Sequence, residues 1–254
     1  MRYQHIDKVY KRVISKDIDV FLEKLNNTNK IQSEVRKRGS IISLNKALYF
    51  LSKKDIKNSK IECFNASLNQ LYLQVSYDNN TIYEVPSYIK YLCLALLSDN
   101  KLLIELLHLN STAIKTPKNN NHSLNIMILS AMNEDEIGIN SAMETYSKQS
   151  LNKRWSSLHL KFFRTYLYGK VSEIKDVLIE LESTKMKKQC GFYGEFVSDY
   201  LSVFTNAYLK LCWRKGWEIK INSPTVHMEM MPIKELHSYE INFPYLKGWK
   251  EHFS

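Results

Sequence analysis

The sequence holds little of what sheet proteins and cross-linked scaffolds require. Seven glycines and five prolines in 254 residues are too few turn-formers for a many-stranded sandwich. A mostly helical chain is expected. Four cysteines, Cys63, Cys93, Cys190 and Cys212, stand far apart with no CxxC pair, which argues against a zinc site and a disulfide framework alike. Reduced, mostly buried thiols are the expectation. No run approaches the ~18 apolar residues that span a bilayer, and the opening MRYQHIDKVYKRVISKD does not read as a signal peptide. A soluble, cytoplasmic protein without membrane contact is expected.

The motifs of the common enzyme classes are missing as well. There is no GxSxG elbow, P-loop, dinucleotide-binding glycine fingerprint or HExxH helix. The histidines at 5, 108, 122, 159, 227, 237 and 252 are not spaced to share a helix face with a carboxylate. Glu134, Asp135 and Glu136 are adjacent, so they point in three directions around a helix and read as a solvated helix start. Gly191 and Gly194 have the GxxG spacing of some RNA-binding loops but lack the flanking strands and helices. No enzyme, cofactor or metal is expected.

What the chain does have is positive charge, concentrated at one end. Residues 1–60 carry 15 Lys and Arg against 6 Asp and Glu, a net of +9 out of +10 for the whole chain. Ile6, Val9, Tyr10, Val13, Phe21 and Leu25 sketch a first helix, on which Lys8, Arg12 and Lys16 share a face. In the next segment Arg36, Lys37 and Arg38 precede Gly39, and apolar spacing resumes at Ile41, Leu44, Leu48 and Leu51. These six basic residues can form one partner-binding surface, with solvated helix faces as the plain alternative.

The remaining chain reads as amphipathic helices. Phe64, Leu68, Leu71, Tyr72 and Val75 line one; PSYIKYLCLALLS is apolar almost all round and should be central, with KLLIELLHLN as its partner beyond Asp99 and Asn100. Residues 111–123, STAIKTPKNNNHS, lose the pattern and mark a loop or subdomain boundary. Beyond it come LNIMILSAM, a weakly amphipathic GINSAMETYSKQS, a helix burying Trp155, Leu158, Phe162, Thr165 and Leu167 up to Gly169, and one burying Ile174, Val177, Leu178 and Leu181. No repeat period emerges. The fold class is all-α: an irregular bundle of antiparallel helical hairpins in a single domain, 1–254.

From Phe192 a long helix is expected on the spacing of Phe196, Tyr200, Phe204, Ala207, Tyr208 and Leu211. It should end at Arg214 and Lys215 with Gly216 as left-handed cap. The segment 217–254 alternates briefly at Trp217, Ile219 and Ile221, then carries Pro224, Pro232 and Pro244. Such a tail is expected to strap across the helices.

The order of these C-terminal pieces, LKLCWRKG, then EIKINSP, MMPIKEL and YEINFPYL, resembles the C-terminal half of the immunity protein 49 family, antidotes of bacterial polymorphic toxin systems. The matching positions are Leu211, Gly216, Ile219, Ser223, Pro224, Pro232, Leu236, Glu240, Pro244, Tyr245 and Leu246; Cys212, Trp213 and the stretch His227-Met228-Glu229 depart from the pattern. The resemblance implies a stoichiometric inhibitor of a cognate toxin and transfers no catalytic residue. Joined to the basic N-terminal quarter, it implies a toxin with an acidic surface patch. Nucleic-acid binding by the same basic helices is the alternative, and no recognition module accompanies it.

Overall fold

The computed structural model describes residues 32–76, 86–112, 120–149, 154–183 and 199–252, and every regular element among them is helical. The chain is all-α. It divides into two compact units, residues 1–79 with 236–254, and residues 80–235. The boundary expected within 111–123 therefore falls inside the second unit. The tail expected at 217–254 is split: 217–235 belongs to the second unit and 236–254 to the first.

In the first unit, α1 (Gln32–Ser52) and α2 (Ile56–Ser76) pack as a hairpin. The apolar face of α1 is Ile42, Leu44, Ala47, Leu48 and Leu51, set against Phe64, Leu68 and Leu71 of α2. One expectation is corrected here. Ile41 is 44% exposed and Ile42 is buried in its place. Gly39 has a packing reason: a Cβ there would lie 2.6 Å from the Tyr245 hydroxyl and 2.8 Å from Asn69 Oδ1. In an exposed helix, Gly→Ala would stabilise by roughly 1 kcal/mol. Here Gly39→Ala is expected to lower the unfolding midpoint, and adding Tyr245→Phe should recover part of the loss; thermal melts of the single and double variants check this.

The second unit contains α3 (Pro86–Ser98), α4 (Lys101–Thr112), α5 (Asn120–Met132), α6 (Glu136–Gln149), α7 (Arg154–Tyr168), α8 (Val171–Leu181) and α9 (Val203–Arg214). As its all-round apolarity requires, α3 is central: Ile89 and Leu92 through Leu96 have no exposed surface. The last helix, α9, packs back against α3 and α8.

Three hairpins share one turn. Lys54, Asp99 and Glu134 end α1, α3 and α5 in the left-handed region, with φ of 59°, 61° and 58°, and the next residue immediately caps the following helix. Asp55 Oδ1 accepts from Asn58 N (3.1 Å), Asn100 Oδ1 from Leu103 N (2.8 Å) and Asp135 Oδ1 from Gly138 N (2.9 Å). The acidic trio thus has three separate places: turn, cap and first helical residue.

The long helix expected from Phe192 is shorter among the described residues. It begins only at Val203, because the Ser202 N–H donates to Thr225 O (3.0 Å) and draws that backbone to the tail. Its end is as expected. Gly216 has φ +80°, the Trp217 N–H reaches Cys212 O (2.9 Å) and the Gly216 N–H reaches Trp213 O (3.0 Å).

Candidate functional site

The basic residues singled out in the sequence do not assemble a described site. Lys8, Arg12 and Lys16 lie outside the described residues, and Arg36, Lys37 and Arg38 stand on the first turns of α1, their side chains likewise outside them. What the structure does build is a set of buried polar clamps on the tail, two in the second unit and one in the first.

The deepest is at Lys210 on α9. Its side chain is fully buried, and Nζ donates to Asp99 Oδ2 (2.8 Å), Met230 O (2.6 Å) and Pro232 O (3.0 Å). The same Asp99 oxygen accepts from the Lys234 N–H (3.2 Å). Burying an ammonium is tolerable only where a counter-ion and further acceptors replace its water. The left-handed turn at Asp99 presents that counter-ion, and the tail presents two carbonyls.

One helical turn earlier on α9, Asn206 is the second clamp. Its amide nitrogen donates to Ser202 O (2.7 Å) and Thr225 O (2.7 Å), and its oxygen accepts from the His227 N–H (2.8 Å). Nearby, Glu182 Oε2 accepts from Ser223 Oγ (2.6 Å) and Thr225 Oγ1 (2.7 Å), tying the same tail segment to the end of α8.

The first unit repeats the device on α2. Glu62, Asn65 and Asn69, spaced along one face, hold residues 240–245. Asn65 Nδ2 donates to Glu240 O (2.8 Å), Asn65 Oδ1 accepts from the Asn242 N–H (3.2 Å), and Glu62 Oε1 accepts from Asn242 Nδ2 (2.8 Å). The Tyr245 hydroxyl donates to Asn69 Oδ1. Burial raises the Glu62 carboxyl above its usual range, opposed by Lys46 at 3.6 Å. Tyr239 and Trp249 of the tail then close over Phe64, at 4.9 and 5.7 Å between ring centroids.

No protein-family model, curated protein or solved structure matches the chain. Among the described residues no group of three His, Cys, Asp or Glu is placed to hold a metal ion, and no helix is long and apolar enough to cross a membrane. Among the described residues Cys63, Cys93 and Cys212 are buried thiols outside any disulfide, and burial pushes the Cys212 thiol up to about 12.

His159 is a buried group whose titration reaches into a useful pH range. Its Nδ1 shares a hydrogen bond with the Tyr208 hydroxyl (2.6 Å) among Phe162, Phe163 and Phe204, and burial lowers its pKa to about 3. The fold holds it neutral, whereas the unfolded chain protonates it below about 6.5. Its stability contribution is therefore complete above pH 6.5 and is lost as pH falls towards 3, about 5 kcal/mol in all by linkage. Glu62, with its raised pKa, works in the opposite sense: its contribution is present at acid pH and lost as pH rises through its folded value. Subtracting the pH–stability curve of His159→Asn from that of the parent chain should isolate a positive slope between pH 3 and 6.5. Parallel curves would mean that His159 is charged in the fold.

The clamp residues escape a reading based on apolar spacing alone. Their one trace is polar residues at i and i+4 inside apolar helices, Asn65 with Asn69 and Asn206 with Lys210.

Proposed function

We propose that this protein is an immunity protein of the immunity protein 49 kind, which binds a cognate bacterial toxin in the cytoplasm of the producing cell and neutralises it by stoichiometric protein–protein inhibition. The observation that carries the reading is the C-terminal motif, and the places of its residues support it. Gly216 is the left-handed cap, Ser223 bonds Glu182, Pro232 gives a carbonyl to Lys210, Glu240 gives one to Asn65, and Tyr245 bonds Asn69. A signature made of fastening residues preserves a scaffold and leaves the outer surface to adapt to each toxin. An interface of ordinary size, roughly 1,600 Å² in total, is all that the inhibition requires.

The test is affinity capture of the full chain from its own cells, half the sample nuclease-treated, followed by expression of the captured partner alone and together with this chain. The expected result is a single partner that survives nuclease, kills when expressed alone and is harmless in company. Loss of all bound material with nuclease would replace this reading by nucleic-acid binding through the +9 quarter. With the toxin in hand, Arg36→Glu with Lys37→Glu should slow association and flatten its salt dependence without shifting the unfolding midpoint.

A further inference from the structure

Single exposed apolar side chains are ordinary on a protein surface, whereas a cluster of them marks a contact surface. Of the six large apolar residues that stand exposed among the described ones, Ile137 (83%), Tyr168 (68%) and Val171 (43%) gather where α6 begins and α7 turns into α8. A hydrogen bond ties two of these places together. The Tyr168 hydroxyl donates to Asn140 Oδ1 (2.8 Å), and Asn140 lies one helical turn from Ile137 on the same side of α6. Val171 follows Tyr168 by three residues, within about 10 Å of chain. The bond to Asn140 also holds the tyrosine ring in place before any partner arrives, which reduces the entropy lost when one does.

The charges beside this corner are sorted by helix. α6 and α7 pack against each other across the short connection 150–153 and so run antiparallel, and the bond between Asn140 and Tyr168 sets their register. One turn further along α6 is Glu144, and one turn back along α7 is Arg164, both exposed. Among the described residues neither takes part in an ion pair. No acid occurs in α7, and Lys161 extends its basic edge. On α6, Glu136 is engaged by Lys215 (3.8 Å) and Lys148 stands at the far end. The face thus has an apolar end and, one turn below it, a carboxylate on one helix and a guanidinium on the other.

We propose that this face docks a second copy of the chain as an isologous pair. A two-fold axis running along the seam between α6 and α7 lays α6 of each copy over α7 of the other at the same height. Ile137 then meets Tyr168 of the other copy, and Glu144 meets Arg164 of the other copy, each contact occurring twice by symmetry. An exposed apolar and aromatic centre beside an arginine has the composition of an interface anchor. The charge selects the occupant: a face with its free carboxylate on one helix and its free guanidinium on the neighbour is complementary to itself. The pairing is independent of what the chain neutralises.

Sedimentation velocity on the full chain, over a concentration series of about 1 to 300 µM, tests the pairing. The expected species has twice the 29.9 kDa of one chain and grows with concentration. Ile137→Asp with Tyr168→Asp should weaken it roughly a hundredfold while the melt stays cooperative, since both side chains already face solvent. Glu144→Lys alone places like charges opposite one another, as does Arg164→Glu alone, so each should weaken self-association roughly tenfold. Mixed in equal amounts, these two variants should pair as tightly as the parent chain, because both contacts of the mixed pair then join opposite charges. A parent chain that stays single throughout the series overturns the proposal and leaves the face to a different protein. So does a pair that survives the double substitution at Ile137 and Tyr168, which must use another face. A mixture no tighter than its components overturns the two-fold arrangement itself.

Discussion

Lys210→Met should cost the protein about 3–5 kcal/mol, because it leaves the Asp99 carboxylate buried without its counter-ion. Two tail carbonyls, at Met230 and Pro232, lose their donor in the same step. The loss corresponds to roughly 10 °C in melting temperature for a chain of this size. Asp99→Asn should be milder, since an amide oxygen can still accept from Lys210 Nζ and asparagine tolerates the left-handed φ of 61°. The double variant is expected to cost less than the two singles added together, the mark of direct coupling. Chemical denaturation of the four proteins measures it. Additive losses would mean that the ammonium and carboxylate do not feel one another. A change below 1 kcal/mol in Lys210→Met would mean that water reaches the site.

The second large effect is expected from removing the tail. A chain ending at Gly216 loses Ile219, Ile221, Met230, Met231, Phe243, Leu246 and Trp249, each at most 5% exposed. Burying one such side chain contributes about 1.5–3 kcal/mol, so the total is as large as the roughly 5–15 kcal/mol by which an ordinary domain is stable. Lys210, Asn206, Asn65 and Glu62 would also lose their partners on the tail. The truncated protein is expected in the insoluble fraction, or as a dye-binding species without a cooperative melt. A soluble fragment with a sharp transition would mean that the tail is an appendage and that its buried residues are covered only incidentally.

Helix type and order are legible in the sequence because amphipathic spacing is a local property. The face of α8 through Ile174, Val177, Leu178 and Leu181 is buried, Lys161 and Arg164 point outward on α7, and the cap at Gly216 follows from chain chemistry alone. Errors arise where a distant segment decides. The space at Gly39 is set by Tyr245, which is distant in the chain. The start of α9 at Val203 depends on Thr225, which no window around Ser202 contains. The burial of Lys210 is decided at long range, since its three partners lie 20 to 111 residues away. Of the candidate site, the sequence carries the charge of the N-terminal quarter.

The clamp between α2 and residues 240–245 also sets an order of events during synthesis. Residues 80–235 form a contiguous unit that can acquire its core as it leaves the ribosome, whereas α1 and α2 leave first and meet their partners last. Until the chain has passed Trp249, Phe64 lacks its full aromatic cover, and until it has passed Tyr245 the Asn65 and Asn69 amides lack their tail partners. Among the described helices, the hairpin made first therefore waits longest, and in that interval its apolar face is open to a chaperone.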